Sequence, residues 1–220
     1  MTDNYLHPVI LLAHTITNRL KYIAEIIGQH ATGQSFILTT NQEEFATYRG
    51  AKINYTNTRL SPTECWIVPH ALLFEHGISQ QHTALSSQNE LKILFVTDGD
   101  LPFDIFAASF YLLSRYEEYL PYQKDMYGRY AHDQSLAYTG GFLHEPLVNK
   151  WILSLKQVLN NKFPNTAVEP ITPFRFVPTY DIDEAFSYKH KNLVRVAGAI
   201  TRDVLKGNFS RISERQQVLA

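Results

Sequence analysis

The sequence predicts an α/β protein, with a small mixed or parallel sheet and flanking helices. Two observations carry that reading. Short apolar runs alternate with segments of helical period through the first 160 residues, and "LKILFVTD" (91–98) carries a continuous apolar run, Ile93 to Val96 flanked by Leu91, as suits a strand buried on both faces of a parallel sheet. A third concerns the end of the chain: another apolar strand and a helix follow a proline-rich break near residue 170, like the opening of a second domain.

The elements follow in order. "NRLKYIAEIIGQ" (18–29) places Leu20, Ile23, Ile26 and Ile27 at helical spacing, with Gly28 near its end. "SFILTT" (35–40) and "AKINYT" (51–56) read as strands separated by a short polar stretch. "CWIVPH" (65–70) reads as another, closed by Pro69. After the strand at 91–98, Asp100 is the expected N-cap of a helix with Pro102 in its first turn, a Phe103, Phe106, Phe110, Leu113 stripe, and Pro121 as its stop. A polar, Tyr-rich loop (122–141) ends in Gly140 and Gly141. "EPLVNKWILSLKQVLNNKF" then forms a helix with a wide apolar face. "NTAVEPITP" (165–173) is the candidate boundary between domains 1–170 and 171–220. Beyond it come the strand "FRFVPTYDID", a helix from about 191 to 206 closed by Gly207, and a second helix starting near Ser210.

Composition excludes several classes of function. With 220 residues, 45% hydrophobic and 19% charged, the chain is globular in type. A formal net charge of -1 provides no global field for nucleic acid. The apolar run "PVILLA" near the N-terminus is too short to span a bilayer and lacks a basic leader, so a cytoplasmic location is the expectation. The single Cys65 lies in "CWIV" and reads as a buried thiol.

The chemistry-bearing stretch is "PTYDIDEAFSYKHK" (178–191). On a strand, Asp181 and Asp183 share a face with Val177 and Thr179, the two carboxylates about 7 Å apart. Two carboxylates at the C-terminal end of a strand need solvent, a partner or a cation. One such carboxylate can ligate a divalent metal while the other takes a proton from the metal's water. The competing structural reading is a strand end, with Asp183 capping the next turn.

"TYDID" followed by "EAFSYKHK" resembles the first motif of the NodB-homology polysaccharide deacetylases, metal-dependent carbohydrate esterases on a distorted (β/α) barrel. "FDIFAASFYLLSRYEEYLPYQKDMYGRYAHDQS" resembles the domain that precedes the catalytic one in a group of bacterial deacetylases. The resemblance implies Asp181 as general base and Asp183 as metal ligand. It also implies that the sheet domain is followed by the first strand and helix of an incomplete (β/α) barrel. The substrate implied is a polysaccharide or amino sugar. The metal implied is divalent, zinc, in the complete parent protein, with none held by this chain alone. The family completes its site with two His one helical turn apart downstream, whereas only His190 follows Asp183 here. As given, the chain is therefore expected to be inactive.

Two alternatives stay open: a non-catalytic carbohydrate-binding or scaffolding module, and a fragment of a D-x-D nucleotide-sugar glycosyltransferase, which no Gly-rich phosphate loop supports. A haloacid-dehalogenase-type phosphatase would want Thr or Val where Ala185 stands. In "MYGRYAHDQS", Arg129, Tyr130 and His132 are candidate sugar contacts, against the plainer reading of a solvated loop pinned by its tyrosines. His70, His76 and His82 recur every six residues, a spacing for loops rather than ligation. Arg115 and Glu118 can pair at i,i+3. From residue 171 on, eight basic residues face five acidic ones, a balance suited either to an anionic glycan or to a solvated helix face.

Overall fold

The computed structural model describes residues 8–88, 91–164, 176–181, 188 and 191–219. The chain divides into two units, Met1–Thr172 and Pro173–Ala220.

The first unit begins with β1 (Ile10–Ala13), which leads through α1 (Asn18–Thr32) to β2 (Ile37–Thr39). α2 (Gln42–Thr47) crosses to β3 (Lys52–Tyr55), and a loop leads to β4 (Cys65–Trp66). These strands form a parallel sheet in the order β2-β1-β3-β4. β1 lies inside the sheet, with Leu11 opposite Leu38 on one side and Ile53 on the other. Its run "VILLA" alternates between two buried faces. Val9, Leu11 and Ala13 join the main core, while Ile10 and Leu12 pack with Phe45 of α2. This is the doubly buried parallel strand, although in the sequence its five residues read only as part of an apolar run too short to span a bilayer.

β5 (Ser86–Gln88) and β6 (Leu91–Ile93) form a separate antiparallel pair. The expected strand over 91–98 stops at Ile93 and lies in this antiparallel pair instead of the parallel sheet. Phe95 adopts a left-handed conformation (φ 54°), which ends the strand. Its ring stacks on His70 at 4.1 Å and meets Tyr111 edge-on at 6.1 Å, contacts that hold the strained residue in the core.

α3 (Ile105–Leu113) follows, then a 3-10 turn at Tyr116–Tyr119 that precedes Pro121. Its N-cap is Asp104 rather than Asp100, and it accepts from Phe106 N and Ala107 N. Leu113 is exposed, because the helix ends there instead of carrying the aromatic stripe another turn. The Tyr-rich loop holds a 3-10 turn (His132–Gln134) and α4 (Leu136–Thr139). α5 (Leu147–Lys162) buries Trp151, Ile152, Leu155 and Leu159 against the main core with α1 and α3. The result is a four-stranded parallel sheet flanked by helices. The described residues contain no closed barrel.

α1 runs one turn past its expected end. Gly28 lies inside it because a Cβ there would meet Gln34 O at 2.8 Å and Phe36 N at 3.0 Å, where the chain doubles back toward β2. The stop is Gly33 (φ 73°), whose N–H returns to Gln29 O.

In the second unit, α6 (Leu193–Leu205) and α7 (Phe209–Leu219) form a helical hairpin around Gly207 (φ 69°). Phe176–Asp181, the described part of the expected strand, has no strand assignment and is exposed throughout. A strand needs a ladder partner, and the described residues of this unit include none.

Candidate functional site

The candidates that fall among the described residues take separate places. Asp181 is exposed in the second unit and makes no hydrogen bond or ion pair to a described residue. Asp183 lies outside the described residues, as does His190. Arg129 and Tyr130 stand on a small hairpin closed by the Lys124–Tyr130 bridge, and His132 begins the 3-10 turn after it. Arg129 pairs with Asp125 at 3.5 Å and lies over the Tyr127 ring. Tyr130 packs on Tyr122 and hydrogen-bonds to Glu117, and burial beside that carboxylate pushes its phenol up to about 12. The exposed His132 meets Tyr138 edge-on. Among the described residues the three candidates contact neighbours of their own rather than one another. Arg115 pairs with Glu118 as its spacing suggests. The described residues include no group of three or more His, Cys, Asp or Glu able to hold a metal.

Sequence reasoning missed the built polar centre of the first unit. Asp104 is fully buried where β3, the loop after β4 and α3 meet. Its Oδ1 accepts from Phe106 N (2.9 Å) and Ala107 N (3.0 Å), and its Oδ2 from the Tyr55 hydroxyl (2.6 Å) and His70 N (2.6 Å). Burial raises its carboxyl to about 6, against the pull of those four donors. Burial beside Asp104 also pushes the Tyr55 phenol well up, so Tyr55 stays a donor. The signal was present: Asp immediately before the apolar run "IFAASF" is an N-cap pattern. Asp100, with Pro102 two residues on, offers a competing N-cap pattern.

Asp100 instead clamps β4 to α5. It accepts from Trp66 N at 2.6 Å and pairs with Arg59 at 2.7 Å and Lys162 at 3.1 Å. Burial works to raise its carboxyl, and the Trp66 N–H, Lys162 and Arg59 together hold it below the usual value. Nearby Cys65 is buried, and burial with the Asp100 charge pushes its thiol up to about 12, which removes it as a nucleophile.

The chain order reverses between β1 and β3, the point in an open parallel sheet where ligands bind beyond the strand ends. Past β1, a cavity of about 460 Å³ opens between Thr15–Arg19 and Phe74–Gly77. Its walls are fixed by the chain itself. Thr17 caps α1 through Leu20 N and donates to Leu73 O at 2.6 Å. Arg19 donates to Leu72 O at 2.6 Å and to Gly77 O, beneath the rings of Phe110 and Tyr116. Beside it, the His14 ring rests on Phe74 at 4.1 Å. This arrangement can hold a small polar ligand, but it sets no base against a nucleophile.

The family described as "Family of unknown function (DUF7033)" matches residues 9–164. The chain belongs to this family. The DUF7033 region runs from the residue before β1 to just past α5, covering the sheet, the Asp104 centre and the Tyr-rich loop, and it ends before "TYDID". No curated protein and no solved structure matches the DUF7033 chain. Among its described residues, no helix is long and apolar enough to cross a membrane.

Proposed function

We propose that this chain is the N-terminal portion of a metal-dependent polysaccharide deacetylase. In this reading the DUF7033 unit serves as an accessory domain, and the catalytic (β/α) unit begins after residue 172. The observation that carries the reading is the "TYDID" segment, which stands beyond the DUF7033 region in a unit of its own with Asp181 open to solvent. Asp181 is the general base, and Asp183 is one ligand of a divalent metal such as zinc. The residues present do not complete a metal site. No pair of His one turn apart follows Asp183, so the remaining ligands have to come from outside these 220 residues. The chain alone is then a non-catalyst, and its substrate, an N-acetylated glycan, is engaged by the whole protein.

The experiment is acetate release from N-acetylated chito-oligosaccharides by the natural gene product purified with zinc, alongside its Asp181→Asn variant. Activity that the variant loses by at least about a hundredfold supports the reading, given the size of general-base effects. A natural product that releases no acetate, or one whose variant keeps full activity, overturns it.

A second reading, a non-catalytic binding module, is favoured by the cavity at the chain reversal between β1 and β3. Its signature is saturable binding of an uncharged oligosaccharide by the 220-residue chain, lost on filling the cavity with Thr15→Trp.

A further inference from the structure

Beside the α6–α7 hairpin lies a cavity of about 330 Å³ whose lining, among the described residues, carries five cationic side chains against two carboxylates. Both carboxylates are already engaged. Asp203, buried, accepts from Arg215 Nη2 at 2.9 Å, and Glu214 accepts from the Tyr188 hydroxyl at 3.1 Å. That leaves Arg195, Arg202 and Arg211 on the lining with no side-chain hydrogen bond or ion pair to a described residue. All three are exposed, and they border one concavity.

A second observation comes from Arg215. It is more than nine-tenths buried, lies across the Tyr188 ring at 5.1 Å, and its Nε–H has no acceptor among the described residues. A buried guanidinium N–H without an acceptor is costly, and an oxyanion beside it would lower that cost and offset the surplus positive charge of the described lining.

We propose that this cavity is an oxyanion site, taking a phosphate or carboxylate group carried by a ligand of about monosaccharide size. Guanidinium forks match both groups through paired N–H donors and give up hydration more readily than an ammonium does. The volume lies at the lower end of small-ligand sites, enough for one charged sugar-sized molecule. The inference rests on the lining of this cavity and stands apart from the deacetylase reading.

The test titrates the 220-residue chain with inorganic phosphate, glucose 6-phosphate, glucuronate and glucose, following heat and the arginine Nε–H signals by NMR. Saturable binding of an anion is expected, with a shift of the Arg215 Nε–H and weakening as salt is raised. Arg202→Gln and Arg211→Gln, both at exposed positions, are expected to weaken binding about tenfold each. Arg49→Gln, in the other unit, leaves it unchanged. Preference for glucose 6-phosphate identifies a phosphate ligand, and preference for glucuronate a carboxylate; either supports the site. Glucose binding as well as the anions, anion binding unmoved by Arg202→Gln and Arg211→Gln, or no saturable signal from any anion overturns it.

Discussion

In Met1–Thr172 the largest fully buried side chains include Trp151, Tyr55, Tyr116, Phe103 and Phe106, while charge is largely at the surface. In Pro173–Ala220 the buried residues among those described are Asp203 and Arg215, while Leu193, Val194, Leu205 and Phe209 stand at two-thirds exposure or more. The two units thus differ in what holds them together. The first has a sheet buried on two faces and one continuous apolar core rich in aromatic rings. In the described part of the second, a helical hairpin, Arg215 of α7 joins α6 through its buried pair with Asp203 and a hydrogen bond to Val196 O. α6 turns Val196, Ala199 and Asp203 inward and leaves the Leu193, Ile200, Val204 stripe uncovered. Short helices draw most of their stability from covering such a stripe. In the deacetylase reading, strands of the barrel would supply that cover, since barrel helices lie with their apolar faces on the strands.

Substitutions can break the comparison from either side. The largest effect is expected from Arg215→Ala, which leaves Asp203 buried and uncompensated, a loss of about 4 kcal/mol. That exceeds what two helices can absorb, so the helical circular dichroism of α6 and α7 should vanish while the first unit still melts cooperatively. Loss of both units together would show that they are not separate. Asp104→Ala removes the acceptor of four donors and should cost the first unit about 3 kcal/mol in chemical denaturation, with α6 and α7 unaffected.

Asp104 also gives the first unit a pH signature. Its folded value of about 6 lies above the ordinary 3.8, so the folded state holds this proton more tightly than the unfolded chain does. The stabilisation is fully present below about pH 4 and is lost as pH rises through about 6. Midpoints of urea unfolding should show this component in the parent and lack it in Asp104→Ala. Gly28→Ala is expected to cost about 2 kcal/mol, because its Cβ meets backbone that cannot give way, and the thermal midpoint of the first unit should fall accordingly. The smallest effect is at Cys65, whose thiol should resist alkylation in the native chain and react fully in denaturant.

Where periodicity was long, the sequence was a good guide. α5 and α6 lie within a residue or two of the expected helices, and Gly207 stops the latter as expected. Short elements whose burial depends on distant partners were less legible. β1 is four residues long and is recognisable as a central strand only once β2 and β3 flank it. α2 presents a single buried residue, Phe45, so no period marks it. The run at 91–98 is apolar because Leu94 and Phe95 enter the core from a bent chain, and a left-handed Phe leaves no trace in hydropathy. Of the candidate site, the Asp181–Asp183 pair was visible as a motif, whereas the Asp104–Tyr55 contact joins residues 49 apart and needs the fold to bring them together.

The most direct measurement is native-state hydrogen exchange across the 220-residue chain. Exchange in β1, β3 and α3 should be slow and governed by global unfolding of the first unit, while α6 and α7 exchange through easy local opening, orders of magnitude faster. Equal protection in the two units would contradict the account, since it would make Pro173–Ala220 a finished part of one cooperative fold rather than a segment whose apolar face still needs cover.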